Sequence, residues 1–260
     1  MRRNLLYINL IAYCLLIVIN AAAVLIPFFG KTPGDVSDMF PNLLTPADFS
    51  FKIWSVIYIS LGFFAFDQIR HIRQTKIDTP KEVLDVGYLF FASCVFNILW
   101  LIAWQSVHIL SSFLLIFALW ILLIVLYYRL AQSDNASKVY TIPFSIYLAW
   151  VCVAALANLN ILLIDSNFKF FGFTEEYWTA ALIVLGICGT LLVIYLNQDF
   201  WFTSVLVWAF YGMYSKNMDL TPEGNWVSKM SLIAIAFLIS VWIVIIIRNK
   251  VISFTHKSSG

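Results

Sequence analysis

The chain has 260 residues, of which 62% are hydrophobic and only 12% charged, and its formal net charge at pH 7 is +2. Together with a mean hydropathy of +0.88, this composition excludes an ordinary water-soluble globular domain. The net charge is too small to indicate a nucleic-acid-binding surface. Long apolar runs instead predict an all-α, polytopic transmembrane helix bundle.

About eight apolar runs divide the chain. We predict membrane spans near residues 5–26, 49–69, 84–106, 110–130, 140–164, 177–196, 200–215 and 229–248. The first run follows Arg2 and Arg3 and is similar to a signal peptide, but it is long for one, so we expect a retained span. The seventh run is short, which leaves a tilted crossing and a re-entrant segment both open.

The polar segments between the spans carry most of the charge. Residues 27–48 form the longest of them, and four prolines lead us to expect no regular helix there. Residues 70–83 form a basic loop, and Asp67 lies three residues before Arg70, a spacing that allows a local ion pair. With eight spans, most basic residues fall on the side of both termini, which the positive-inside rule places in the cytoplasm.

One span carries a stripe that a lipid-facing helix does not need. Pro143, Tyr147, Trp150, Ala154 and Asn158 recur at spacings of three and four residues, which places them on one helix face. A buried amide without a partner costs free energy, so we expect this face to look into the protein. Comparable stripes occur in two earlier spans, as Trp54 and Tyr58 and as Asn97, Trp100 and Trp104.

Two interpretations of these stripes are open. The rings and amides either pack helix against helix, or they line one aromatic cavity among three neighbouring spans. Periodicity alone favours packing, because aromatic stripes and interhelical amide hydrogen bonds are common in membrane bundles. A cavity of flat rings with a few amides would suit a large planar apolar ligand.

The order of these motifs resembles the TspO/MBR family, which includes tryptophan-rich sensory proteins and mitochondrial translocator proteins. The stripe from Pro143 to Asn158 is similar to the fifth helix of that family. Trp54, Tyr58 and Gly62 are similar to its second helix, and Asn97 with Trp100 to its third. The resemblance covers residues 1–164 and implies a five-helix transmembrane domain, so we predict that residues 165–260 form an extension of about three further spans.

The resemblance favours the cavity interpretation and implies what the cavity holds. Porphyrins, and in some members sterols, bind in the family's cavity beneath the loop that corresponds to residues 27–48. The expected function is binding, sensing or handling of a tetrapyrrole or similar flat apolar ligand, with no cofactor required. Family members dimerise, which implies a homodimer. The implied ligand-binding residues are Trp54, Tyr58, Asn97, Trp100, Trp104, Tyr147, Trp150, Ala154 and Asn158.

A sterol-like ligand has less support at the family's usual place. Sterol-binding relatives carry a short motif with a tyrosine and a basic residue at the end of the fifth span, where this chain reads NILLIDSNF. The related pattern Val125-x-Tyr127-x-Arg129 occurs elsewhere, at the end of the fourth predicted span.

Catalysis and metal binding have little support in the sequence. No span centre carries an ionisable residue, and no catalytic triad, carboxylate pair or phosphate loop is present. The four cysteines lie in apolar runs without a CxxC pair, and His108 has no paired axial ligand for haem. We therefore expect no enzyme and no metal site. A passive transporter or channel for small apolar molecules, and a structural membrane interaction protein, are the alternative functions.

Overall fold

The computed structural model describes residues 2–73, 81–132, 138–166, 175–218 and 226–258, and within these ranges the chain is helical without a β-strand. Two short 3₁₀ helices, Phe28–Gly30 and Asp48–Lys52, lie on either side of α2. The all-α fold predicted from composition is confirmed. The α-helices are α1 Arg2–Leu25, α2 Pro33–Asp38, α3 Ile53–Arg73, α4 Lys81–Gln105, α5 Ile109–Ala131, α6 Lys138–Asp165, α7 Glu175–Asn197, α8 Phe200–Asn217 and α9 Trp226–Ser258.

Seven helices in the described ranges are long and apolar enough to cross a membrane, namely α1, α3, α4, α5, α6, α7 and α9. A helix satisfies its backbone hydrogen bonds internally, which hydrocarbon demands of any spanning segment. Large apolar side chains cover their outer surfaces, and Ile11, Val18 and Phe63 are each more than half exposed. The prediction of a multi-pass membrane protein is confirmed.

The eighth long helix, α8, also runs through the full depth of the bundle. Asp199, just before its start, accepts a 2.5 Å hydrogen bond from Tyr127 near the end of α5. Asn217, its last residue, donates a 3.1 Å hydrogen bond to the carbonyl of Leu43, in the loop after α1. Eighteen residues at about 1.5 Å per residue give a length of about 27 Å, close to the thickness of a bilayer core. The helix is continuous from one face of the bundle to the other, which favours a crossing over a re-entrant segment, and α8 is less apolar because much of it faces protein.

Consecutive long helices alternate in direction, so the start of α1 and the end of α9 lie on the same face of the bundle. We call the face that carries residues 27–48 the loop face. Asn160, towards the end of α6, donates to Asn42 on the loop face, and Glu175 at the start of α7 accepts from Leu43 there. Asn249 in α9 contacts Gln198 on the opposite face, from which α1 also starts.

Helix α6 is the centre of the bundle. It packs against α3, α5, α7 and α8. Of its most apolar stretch, 67% is buried inside the protein, whereas the corresponding share for α9 is 17%. Towards the face opposite the loop, the rings of Phe64, Phe90 and Phe144 lie edge to face, with the Phe64 centroid 5.1 Å from each of the others. This aromatic cluster fixes α3, α4 and α6 around one axis.

Several boundaries differ from those predicted. Residues 27–48 do contain a helix, α2. Pro33 occupies its first turn, where a backbone N–H has no partner within the helix, so the missing N–H of proline costs nothing there. Thr32 caps the helix. The basic segment 70–83 is helical at both ends, while residues 74–80 lie outside the described ranges. Arg70 and Asp67 form the expected i,i+3 pair at 3.5 Å. The four cysteines are free, but Cys14 and Cys188 are exposed and only Cys94 is fully buried.

Candidate functional site

A cavity of about 820 Å³ lies beneath the loop face, between α1, α3, α4 and α6. Residues 32–48 contribute its roof, and residues of the four helices contribute its walls. The volume falls in the range of about 300–1,000 Å³ that is usual for small-molecule sites. The stripes of three predicted spans therefore do face a shared space, and α1 supplies a fourth wall.

Stacked aromatic rings form one wall of the cavity. The rings of Trp54 and Tyr58 are stacked, with centroids 5.6 Å apart and planes inclined by 21°. Trp100 lies 5.6 Å from Trp54 at 32°, and Trp150 lies 6.4 Å from it at 90°. Such offset and edge-to-face pairs hold one another in place, so the wall is a pre-formed apolar surface.

Asn158 holds the tryptophan wall in position from α6. Its Oδ1 accepts a 3.4 Å hydrogen bond from Trp100 Nε1 and a 2.8 Å bond from Ser112 Oγ in α5, and its Nδ2 donates to the carbonyl of Ala154 at 2.9 Å. These contacts link α4, α5 and α6. Ala154 lies one turn away, and its small side chain leaves a notch beside the Trp150 ring.

The roof is attached to α4 by two side chains. Trp104 Nε1 donates a 3.0 Å hydrogen bond to the carbonyl of Pro33, and Gln105 Nε2 donates to the carbonyl of Lys31 at 2.8 Å. The short helix α2 has a capping box, in which Thr32 Oγ1 and the Asp35 carboxylate each accept the other residue's backbone N–H. These bonds hold the pKa of Asp35 below its usual value.

The other end of the roof is attached to α6 and α8. Asn42 Oδ1 accepts from Asn160 Nδ2 of α6 at 3.4 Å and from the backbone of Leu44 and Thr45 at 3.1 and 2.8 Å. Ala47 N donates to the carbonyl of Gly212 at 3.1 Å, and Trp208 Nε1 donates to the carbonyl of Ser50 at 3.0 Å. Helix α8 is therefore part of the support of the roof, which the sequence did not reveal.

A hydrogen-bond network that starts at the cavity lining and runs into the core lies beneath the cavity. Tyr58 donates to Asn20 Oδ1 at 2.6 Å, Asn20 Nδ2 donates to Asn97 Oδ1 at 3.1 Å, and Asn97 Nδ2 donates to the Tyr147 hydroxyl at 3.1 Å. This chain of four side chains joins α3, α1, α4 and α6 in that order. It forms a polar floor and separates the cavity from the aromatic cluster below.

The structure brings seven of the nine predicted ligand-binding residues together around the cavity. The two others, Asn97 and Tyr147, are fully buried in the floor network and do not line it. The lining residues among the nine are Trp54, Tyr58, Trp100, Trp104, Trp150, Ala154 and Asn158.

Sequence reasoning missed two parts of the lining. The first is the α1 wall, which includes Tyr13, Asn20 and Val24. Asn20 was visible as a lone amide in an apolar span, and that signal could have placed it inside the bundle. The second is a set of aspartates in the roof, namely Asp35, Asp38 and Asp48. They lie in a loop segment, where no periodicity in the sequence predicts which way a side chain faces.

The wall between α1 and α3 borders the exterior of the bundle. Val24 and Ile59 line the cavity and are 61% and 62% exposed. Lower down, the Tyr13 hydroxyl donates to the carbonyl of Tyr58 at 2.9 Å and closes the seam between the two helices. The upper part of this seam is where the cavity lies nearest to lipid.

Two buried polar atoms of lining residues have no hydrogen-bond partner within the described part of the chain. These atoms are Trp150 Nε1 and Thr45 Oγ1, in side chains that are 1% and 3% exposed. No group of three potential metal-ligating side chains occurs in the described residues. His108 is exposed in the turn before α5, where its Nδ1 lies 2.9 Å from Ser106 Oγ, as expected for a turn residue.

The fold and cavity define a class: a multi-pass membrane protein with an aromatic cavity closed by the loop after its first helix. A family model described as TSPO-like protein matches residues 6–247, so the chain belongs to that family. The match extends through most of α9 and includes the helices that follow residue 164. Comparison with curated proteins gave no significant match, and neither did comparison with solved structures.

Proposed function

We propose that the protein binds a flat, predominantly apolar ligand of the tetrapyrrole type in this cavity, for sensing or handling that ligand. The supporting observation is the stacked wall of Trp54, Tyr58 and Trp100 along a space of about 820 Å³. Ring faces bind another planar π-system through dispersion and offset stacking, and they give no such advantage to a branched aliphatic molecule.

The notch at Ala154 supports a planar shape in particular. The Trp150 ring stands at 90° to Trp54, and Ala154 leaves free the space one turn further along α6. A flat ring that stacks on Trp54 can place its edge in this notch. A larger side chain at position 154 would occupy the same volume.

A passive carrier for small apolar molecules is the second candidate function. It is favoured by Val24 and Ile59, because a ligand that passes between them exchanges directly with the lipid phase. A continuous channel has less support, because the floor network of Asn20, Asn97 and Tyr147 lies across the path. Ligand flux into proteoliposomes would separate a carrier from a binding protein that retains its ligand.

The other properties implied by the family are carried as proposals of the same kind. We infer from the family that the protein forms a homodimer and that porphyrin binding, receptor activity or transport is its role in a bacterial or organelle membrane. From the distribution of basic residues we infer that both termini are cytoplasmic. Sterol-like molecules remain candidates, although the aromatic rings of the wall favour planar ones. The division into a domain of residues 1–164 and an extension of residues 165–260 remains a prediction.

Titration of the purified full-length protein with protoporphyrin, followed by quenching of tryptophan fluorescence, tests the proposal. We expect saturable quenching, and we expect Trp100→Ala to weaken binding by about tenfold, since a lost ring pair is worth about 0.5–1.5 kcal/mol beyond its buried area. Asn158→Leu should weaken binding as well, because it frees the Trp100 ring.

The matched control is Trp242→Phe, in α9 and outside the cavity lining. It removes a tryptophan without altering the wall, so affinity should be unchanged. Quenching that does not saturate, or equal affinity for wild type and Trp100→Ala, would exclude ring stacking in this cavity.

A further inference from the structure

The helices that follow α6 meet the cavity only through its roof. Among the lining residues that the structure describes, the last along the chain is Ile161 in α6, and none belongs to α7, α8 or α9. Helix α8 nevertheless packs against residues 42–50, the second half of the roof, which we call the strap. The strap is therefore the connection between a bound ligand and α8.

The strap has one side on the cavity and the other on α8. Pro46 and Asp48 line the cavity. On the other side, Ala47 N donates a 3.1 Å hydrogen bond to the carbonyl of Gly212 in α8. The packing there is so close that a Cβ atom at Gly212 would lie 2.8 Å from Pro46 Cβ. A movement of Pro46 relative to the cavity therefore also changes its contact with α8.

Further contacts extend along the second half of α8. Trp208 Nε1 donates to the carbonyl of Ser50 at 3.0 Å, and the Trp208 ring lies edge to face with Phe49, with centroids 5.4 Å apart. Asn217 Nδ2 donates to the carbonyl of Leu43 at 3.1 Å. Both ends of the strap are thus bound to one helix.

The first half of the roof is held by a different helix. It contains α2, and its start is attached to α4 through Trp104 and Gln105. The strap contains no α-helix, and it depends on α8 for the contacts that hold it over the cavity. Because the two halves have separate attachments, the strap can lift from α8 while α2 stays in place.

We propose that α8 retains the ligand by holding the strap over the cavity, and that ligand occupancy is transmitted to α8 through the same contacts. This role rests on the proposed function, because it concerns the retention and sensing of the same ligand. Trp208 and Gly212 are positioning residues in this respect, since neither lines the cavity.

The element with two states is the strap, which is either docked against α8 or lifted. A ligand in the cavity contacts Pro46 only while the strap is docked, so binding shifts the equilibrium towards the docked state. Coupling between two sites is reciprocal. A change in α8 that weakens docking must therefore weaken ligand retention, and a bound ligand must strengthen the contacts of α8.

The rate at which protoporphyrin leaves the full-length protein tests retention. The complex in non-ionic detergent is mixed with an excess of a soluble porphyrin-binding protein, and the porphyrin absorbance is followed. Gly212→Ala, in which the added Cβ overlaps Pro46, should release the ligand at least about fivefold faster than wild type. Trp208→Phe, which loses the bond to Ser50, should release it about fivefold faster.

Matched controls separate this role from a general loss of stability. A Cβ atom at Gly189 meets no heavy atom within 4 Å, and Trp242 Nε1 has no hydrogen-bond partner in the part of the chain that the structure describes. Gly189→Ala and Trp242→Phe should therefore release the ligand at the wild-type rate. Phe90→Leu destabilises the aromatic cluster, which is remote from the roof, and should leave the rate unchanged although it lowers the melting temperature.

Hydrogen exchange with and without protoporphyrin tests transmission to α8. At a ligand concentration of about 100 times Kd, openings that require ligand release become about 100-fold rarer, so exchange of the Ala47 amide should slow by up to that factor. Exchange in the last turn of α8, residues 213–217, should slow as well, because Asn217 is bound to the docked strap. In Gly212→Ala the slowing in this turn should be smaller.

The possible outcomes separate the two proposals. Release at the wild-type rate from Gly212→Ala and Trp208→Phe would overturn retention by α8, because the ligand would then leave by another route, such as the seam between α1 and α3. If Gly212→Ala does not fold, Trp208→Phe decides alone. Slower exchange in the strap without any change in α8 would overturn the transmission. These results leave the proposed function standing, whereas a wild type that shows no saturable protoporphyrin binding refutes it, and the role of α8 falls with it.

Discussion

Replacing Gly212 by alanine tests whether α8 is part of the support of the cavity roof. A Cβ atom at Gly212 would lie 2.0 Å from Ser50 Oγ, 2.8 Å from Pro46 Cβ and 3.1 Å from Ser50 Cβ. Rotation of the Ser50 hydroxyl relieves the first overlap only. The Pro46 ring cannot rotate away, so α8 and the roof must separate, and the bond from Ala47 N to the Gly212 carbonyl lengthens.

The magnitude follows from two opposing terms. Overpacking of a close contact costs about 1–3 kcal/mol. Alanine in a helix is more favourable than glycine by about 1 kcal/mol, which offsets part of that cost. We expect a net loss of roughly 0–2 kcal/mol relative to wild type, and roughly 1–3 kcal/mol relative to a glycine-to-alanine change without the overlap. At about 2–4 °C per kcal/mol, the variant should melt roughly 6 °C below such a control.

Thermal unfolding in one detergent, with Gly189→Ala as control, measures this difference. Gly189 lies in α7, and a Cβ there meets no heavy atom within 4 Å. The control should melt at the wild-type temperature or slightly above it. If Gly212→Ala melts with the control, α8 does not pack against the roof as described.

Three further changes test the floor, the roof and the topology. Asn97→Leu removes the centre of the floor network. It leaves the Tyr147 hydroxyl without its bond to Asn97, and the Asn20 amide keeps only its bonds to Tyr58 and to the Leu16 carbonyl. We expect a loss of about 2 kcal/mol in stability; an unchanged melting temperature would contradict this. The lowered pKa of Asp35 means that its ionised form stabilises the cap on α2 at neutral pH. This contribution is lost as the pH falls from about 5 through that lowered pKa, so the protection factors of the Thr32 and Asp35 amides, which correct for the slower intrinsic exchange at low pH, should fall. In Asp35→Asn these protection factors should not change over the same pH range. Protease-sensitive tags at the two termini should be cleaved from the same, cytoplasmic, face of sealed vesicles; cleavage from opposite faces would show that α8 does not cross.

The number and order of the long helices could be predicted from the sequence, because a span in lipid must be apolar over about 20 residues. Helix α8 lies at the limit of this rule. It contains several polar residues besides its tryptophans and tyrosines, and two of the polar ones, Thr203 and Asn217, are buried against protein. A helix surrounded by other helices escapes the requirement, and the sequence alone does not show which helix is surrounded.

The aromatic wall could be predicted for a similar reason. Trp54, Trp100 and Trp150 occupy regular helix positions, so their common direction follows from periodicity and the family resemblance. The partners of Asn97 were beyond that reasoning, because Asn20 lies 77 positions earlier and Tyr147 lies 50 positions later. The packing of the helices decides which side chains form a hydrogen bond with each other. Periodicity predicts only which face of its own helix a residue occupies.

The roof was the least predictable part. Four prolines predicted a loop without a regular helix, which was wrong for α2, because proline is compatible with the first turn of a helix. Asp38 and Asp48 approach the cavity because Asn42, Trp104 and Gly212 hold the loop at both ends. Those contacts join segments that are distant in the sequence, so no local sequence pattern predicts them.

The most direct test of the central claim is the protoporphyrin affinity of Ala154→Phe. The added ring would enter the cavity beside Trp150, so saturable quenching should be lost while the melting temperature stays near that of wild type. Ala236→Phe is the control, because Ala236 is exposed on α9, far from the lining, and its variant should bind as wild type does. An unchanged affinity in a folded Ala154→Phe protein would contradict binding between α3, α4 and α6.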